Sequence, residues 1–179
     1  MALKATIYKA ELQISDMDRG HYETHALTLA RHPSETEERL MLRVLAFAMH
    51  ADQALEFGRG LSAEDEPDLW LKDPTGNIEL WIDLGLPDDR RLRRAAGRAG
   101  QVVLLAYGER AFEVWWRKYS AVCSRLPTLT IWTLTDTARA ELAELASRSM
   151  QLQITLQDGQ IAIADGERYL EVSVSRVQP

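Results

Sequence analysis

Carboxylates gather in one stretch of this 179-residue chain, Glu64 to Gly85, EDEPDLWLKDPTGNIELWIDLG, which reads as two strands joined by a turn. Pro74, Thr75, Gly76 and Asn77 supply the turn chemistry. From Ile78 to Leu84 the residues alternate strictly, with Ile78, Leu80, Ile82 and Leu84 on one face and Glu79, Trp81 and Asp83 on the other. A hairpin closing through this turn sets Asp68 beside Glu79, and directly opposed residues on paired strands stand about 5 Å apart. Two carboxylates at that spacing can share a divalent cation. Asp83 shares the face of Glu79 but lies about 13 Å further along the strand. That is too far for the same ion, and it leaves Asp83 placed to orient an arginine or Trp81.

The complementary charge follows at once. Arg90, Arg91, Arg93, Arg94 and Arg98 fall within nine residues of a helical pattern, Asp89 to Ala99, whose narrow apolar face is Leu92, Ala95, Ala96 and Ala99. Such a run can hold phosphates next to the carboxylates, or it can be a solvated face paired with surplus acids. The chain as a whole has a net charge of -6 and a pI near 5.3. It therefore cannot coat nucleic acid by bulk charge, and an anionic partner must meet a local patch. His21 and His25 carry a helical metal-ligand spacing but sit in a strand pattern. There they share one face about 13 Å apart, too far to share an ion, and the glutamate of the zinc-protease motif is missing beside His21. They read as part of a solvated strand face. The single cysteine, Cys123, has no internal disulfide partner and reads as a small buried hydrophobe.

The elements that must position these groups come from periodicity. Leu3 to Ile14 and His21 to Ala30 alternate around the turn signal Asp16 to Gly20, predicting a hairpin. Ser34-Glu35-Thr36-Glu37 reads as a capping box opening a helix to about Leu55, with Leu40, Met41, Val44, Leu45, Ala48, Ala51 and Leu55 apolar and Arg43 on the polar side. Glu38 borders its apolar stripe, either as a core-edge carboxylate or as an ordinary first-turn acid. A short strand is expected at Phe57 to Leu61 and a buried parallel strand at Gln101 to Tyr107. An aromatic helix follows from Glu109 to Ser120, whose Trp115, Trp116 and Tyr119 suit a core. Leu129 to Leu134 is a further strand, Thr135-Asp136 caps a helix to about Ser147, and three alternating strands close the chain through Asp158-Gly159 and Asp165-Gly166 turns. The expectation is one α/β domain over residues 1–179, with mixed sheets and flanking helices. No signal peptide or membrane-length apolar run is present, which points to the cytoplasm and away from membranes.

The central order, helix, three strands, helix, strand, resembles the αβββαβ core of the PD-(D/E)XK nuclease superfamily. The blocks ALKATIYKA, LTLARHPSETEERLMLR, DEPDLWL and LWIDLGLPDDRRLRRA resemble the YaeQ family more specifically, over Met1 to about Val174. The resemblance implies a variant nuclease-like core with an added N-terminal hairpin and C-terminal antiparallel strands. It implies Mg²⁺ held by Glu38, Asp68 and Glu79, and no organic cofactor. The lysine normally found two residues past the third acid is replaced by Trp81, leaving Arg93 and Arg94 as its stand-ins, with Arg90, Arg91 and Arg98 available to nucleic acid. Arginine can clamp a phosphate but is too basic to act as a general base. The implied function is a metal-dependent phosphodiesterase acting on DNA or RNA. The alternative is a catalytically inactive nuclease-like module that binds nucleic acid or protein.

Overall fold

A computed structural model of the chain describes residues 4–60 and 63–177. Leu3 and Leu61, which the sequence places in strands, lie outside the described residues. The chain forms two compact units. One comprises the residues up to Gln53 together with Thr137–Val174, and the other Ala54–Asp136 together with the segment from Ser175.

The first unit is built on the expected hairpin, β1 (Thr6–Asp16) and β2 (His21–Arg31), paired antiparallel with Asp16 opposite His21. The closing strands β8 (Ser149–Gln157), β9 (Gln160–Ala164) and β10 (Tyr169–Ser173) join it through a parallel β1–β8 pairing, giving the sheet order β10-β9-β8-β1-β2. The β8–β9 turn uses Asp158 at φ 53° and Gly159 at φ 76°, the left-handed pair that a two-residue hairpin requires. Tyr8, Ala10, Leu12 and Ile14 alternate inward from β1, and Met150, Leu152, Ile154 and Leu156 do the same from β8.

Helix α1 (Glu37–Met49) is shorter than its apolar pattern predicts. Its chain leaves the helix at His50, and Leu55 begins a strand of the second unit. The N-cap is Thr36, whose hydroxyl accepts from the Arg39 amide. Glu35 is buried and accepts two bonds from Arg43, at 2.9 and 2.8 Å, and one from Arg39 at 3.2 Å. Arg43, expected on a polar face, is therefore a core residue with its charge matched. Every residue from Leu40 to Ala48 is buried. Helix α4 (Asp136–Ala143) is likewise shorter than expected.

The second unit carries a six-stranded sheet in the order β11-β7-β6-β5-β4-β3. Its strands are β3 (Leu55–Phe57), β4 (Leu69–Lys72), β5 (Ile78–Leu84), β6 (Ala99–Ala106), β7 (Leu129–Thr133) and β11 (Ser175–Val177). The pairings β5–β6 and β6–β7 are parallel, as the continuous apolar run of β6 suggests, and the others are antiparallel. Helices α2 (Asp89–Arg98) and α3 (Glu109–Cys123) pack with this sheet around Trp81, Leu92, Ala95, Leu104, Trp115 and Ile131. Strand β11 pairs with β7 and has no counterpart in the sequence reading. No helix among the described residues is long and apolar enough to cross a membrane.

Candidate anion-binding site

The β4–β5 hairpin decides where the carboxylates stand. Its loop is closed by Asp73, whose amide donates to the Asn77 carbonyl and whose carboxylate accepts from the Thr75 and Asn77 amides. This pairs Lys72 with Ile78 at the mouth of the loop. The register then shifts between Leu71 and Lys72, so that Leu71 faces Leu80, Trp70 faces Trp81 and Leu69 faces Ile82. Glu79 is the residue left over at the shift, and it is exposed. The expected pairing of Asp68 with Glu79 is thus corrected: continuing the register sets Asp68 opposite Asp83. Asp68 is buried, and its Oδ2 accepts from the Leu84 amide at 2.8 Å.

Asp83 holds Arg91. The guanidinium donates Nε–H to Oδ2 at 2.8 Å and Nη2–H to Oδ1 at 2.9 Å, the two-pronged geometry in which Arg and carboxylate pair most strongly. Arg91 also donates to the backbone carbonyls of Glu64 and Glu66. One side chain thereby ties α2 to β5 and to the segment leading into β4. The expectation that Asp83 orients an arginine holds. Arg98 adds a bond to the Asp65 carbonyl at 2.8 Å.

Trp81 lies under both arginines and is fully buried. The guanidinium carbons of Arg91 and Arg98 stand 5.8 and 5.3 Å from its ring centroid, and Trp70 meets it edge-on. Its indole N–H is buried with no hydrogen-bond partner among the described residues. The aromatic helix α3 is fixed nearby through Trp115, which donates to the Pro87 carbonyl at 2.6 Å.

The five arginines thus divide by role. Arg91 is a half-buried brace, the exposed Arg98 is tethered to the Asp65 carbonyl, and Arg93 pairs with Asp89 one turn back on the helix at 2.5 Å. Arg90 and Arg94 line a cleft of about 550 Å³ together with Arg91, Glu64, Leu86 and Asp88. Neither has an ionic partner among the described residues. Asp88 caps α2 by accepting from the Arg91 amide, so the cleft opens beside a helix N-terminus that already has its carboxylate.

Glu38 belongs to the first unit, where Arg139 pairs with it at 2.8 Å. Asp68 and Glu79 belong to the second. The donor set for a divalent ion in the hairpin is a poor fit as it stands. Both Asp83 oxygens face a guanidinium, one Asp68 oxygen faces an amide, and Glu79 is displaced along the strand.

The histidines require a second correction. His21 Nε2 and His25 Nε2 are 2.9 Å apart, with rings stacked at 5.2 Å between centroids. Positions about 13 Å apart along β2 thus bring their ring tips together, with Glu23 between them in sequence and its carboxylate in the same cluster. The missed signal was the same-face spacing His-x-Glu-x-His in a strand. Cys123 is buried as expected, and burial pushes its thiol above the ordinary pKa.

Comparison with known proteins agrees with this architecture. The family model described as YaeQ protein matches residues 1–174. The uncharacterized protein YaeQ of Salmonella typhi is 50% identical over 99% of this chain and 98% of its own length, and that of Escherichia coli K12 is 47% identical over the same shares. Among solved structures, the YaeQ protein of Xanthomonas axonopodis pv. citri superposes with a TM-score of 0.94 at 48% identity, covering 97% of this chain and 98% of that one. The YaeQ protein of Pseudomonas syringae gives 0.93 at 36% identity, covering 98% and 97%. A family match along almost the whole length, with relatives of half-identical sequence and the same fold, places this chain in the YaeQ family.

Proposed function

We propose that the second unit binds the phosphate backbone of nucleic acid in the cleft along α2, as a nuclease-like module that does not cut its ligand. The observation that carries this reading is the pair Arg90 and Arg94, two guanidinium groups that line one cleft and, among the described residues, form no ion pair with Glu64 or Asp88 beside them. Arg90 is exposed and Arg94 half-buried, so both can reach a ligand, and two oxygens of a phosphate group accept the paired N–H donors of a guanidinium. Arg91 holds the helix at the depth that presents its neighbours. Against cleavage stand Trp81 in place of a lysine and the commitment of Asp68 and Asp83 to an amide and a guanidinium.

The test is binding of a short labelled single-stranded oligonucleotide by fluorescence anisotropy across a salt series, with a parallel cleavage assay in Mg²⁺ and in Mn²⁺. Each phosphate contact on a single strand contributes about 0.7 to the slope of log K against log salt. An Arg90→Ala, Arg94→Ala double variant should bind more weakly and lose about 1.4 from that slope, whereas Arg93→Ala should leave both nearly unchanged. Equal binding by the double variant removes the cleft from the argument. Metal-dependent cleavage that Asp68→Asn abolishes makes the protein a phosphodiesterase instead.

A further inference from the structure

The first unit contains a cluster of possible metal ligands on β2. His21, Glu23 and His25 project from one face of β2, and their ligand atoms all lie within 4.8 Å of one another. Among the described residues it is the single group of three histidine, cysteine or carboxylate side chains gathered so closely. We propose that these three residues form a zinc site with one coordination position open to solvent.

The geometry supports the ion in several ways. In a tetrahedral site with Zn–N bonds of about 2.0–2.1 Å the ligating nitrogens stand about 3.3 Å apart. The two Nε2 atoms are at 2.9 Å, so a few tenths of an ångström of ring movement opens the position. Two nitrogens this close share a single proton, one ring donating to the other. When a metal enters, the donor ring carries its proton on Nδ1 and both Nε2 lone pairs turn to the ion. Glu23 Oε2 stands 3.8 Å from His25 Nε2 and receives a hydrogen bond from Gln53 at 3.3 Å, an outer contact that steadies a ligating carboxylate.

The surroundings set the ion's type and its open side. His25 is 9% exposed and meets Phe47 of α1 edge-on, whereas Glu23 is 40% exposed. The inner side of the cluster is therefore closed by protein and the outer side by water, which leaves room for a fourth ligand rather than the several open positions of an octahedral ion. Two imidazoles and one carboxylate are the donors that suit zinc and disfavour Mg²⁺ or Ca²⁺. Asp52 adds negative charge nearby, and the opposing Arg19 is itself paired with Asp16 at 2.7 Å.

The experiment uses the untagged full chain, stripped with chelator, titrated with Zn²⁺ against a chromophoric competitor and separately with Co²⁺. The expected result is one Zn²⁺ per chain at micromolar affinity or tighter, and visible d–d absorption of tetrahedral strength with Co²⁺. His21→Ala should lower the affinity by more than the roughly 10- to 100-fold typical of losing an outer contact, and Glu23→Gln should weaken the Co²⁺ spectrum. His21 is partly exposed, so its loss leaves the fold intact; circular dichroism of the variant checks this. Binding that His21→Ala leaves unchanged would place the ion on His32, His50 or surface acids and overturn the proposal. So would the lack of any stoichiometric binding by the wild-type chain.

Discussion

Arg91→Ala discriminates bracing arginines from ligand-facing ones. The substitution removes a two-pronged bond to Asp83, bonds to the Glu64 and Glu66 carbonyls, and a guanidinium near the face of Trp81. It also leaves the Asp83 carboxylate, 7% exposed, without its counter-charge. Breaking a fully buried pair from one side costs about 3–5 kcal/mol. The Arg91 side chain is 28% exposed, so the lower end, about 3 kcal/mol, is the expected cost. For a chain of this size that is a fall of roughly 6–12 °C in Tm. All five tryptophans, Trp70, Trp81, Trp115, Trp116 and Trp132, lie in the second unit, so urea unfolding followed by their fluorescence reads the affected part directly. Arg90→Ala should stay within about 0.5 kcal/mol of wild type in the same assay. In a double-mutant cycle with Asp83→Ala, the coupling should account for most of the Arg91 effect. A negligible loss in Arg91→Ala, or an equal loss in Arg90→Ala, would refute the division between inner and outer arginines.

Two further outcomes follow from buried geometry. A Cβ placed on Gly58 would lie 2.0 Å from the Pro67 carbonyl oxygen, and the Gly58 amide donates to the Asp68 carbonyl, so there is no room for either backbone to yield. Gly58→Ala should cost about 2 kcal/mol or more by tryptophan fluorescence, while Gly76→Ala, set in open space at φ 90°, should cost only its backbone strain of about 1 kcal/mol. His50 has its Nε2 buried without a partner, and burial, reinforced by Arg19 and opposed by Asp16, pulls its pKa down to about 4. The unfolded chain therefore takes up the proton near pH 6.5 and the folded chain not until about 4, so neutral His50 favours folding above pH 6.5. That stability declines as pH falls through the window, by up to about 3 kcal/mol. A His50→Gln variant followed by far-UV circular dichroism should lose this part of the slope, and an unchanged slope would show the ring to be solvated.

What could be read from the sequence was whatever depends on near neighbours. Alternation located β1, β2, β5 and β8, the Asp158-Gly159 pair gave its turn, and the apolar run of β6 gave a parallel strand. What could not be read depends on a single residue of offset or on a distant partner. The hairpin register turned on one extra residue at Glu79, enough to exchange the partner of Asp68 from Glu79 to Asp83. Arg43 looked solvent-facing because it falls opposite the apolar stripe of the helix, and periodicity does not reveal its buried partner Glu35, eight residues earlier. The early end of α1 was hidden because Ala51 and Leu55 continue the helical period by coincidence, and Leu55 uses its burial in a strand. The histidine cluster was missed because rise per residue measures backbone separation, while ligation depends on where the side-chain tips meet.

The arrangement of α2 explains how an acidic chain can offer a basic surface. An arginine helix on an otherwise negative protein would ordinarily be drawn flat against the nearest acids and neutralised along its length. Here the acids nearest the helix are already assigned, Asp83 to Arg91, Asp89 to Arg93 and Asp88 to the helix N-cap, while Glu64, which also lines the cleft, makes no ion pair with Arg90 or Arg94 among the described residues. Each satisfied pair removes one competitor for Arg90 and Arg94, so the charge left facing the cleft depends on the pairs behind it. Asp83, 7% exposed, acts on the cleft through Arg91, which fixes α2 against β5, so replacing Asp83 should let the helix shift and weaken oligonucleotide binding as well as stability. A carboxylate that acted only by repelling phosphate would do the opposite, and the sign of the change in affinity for Asp83→Asn, measured on the folded protein, separates the two.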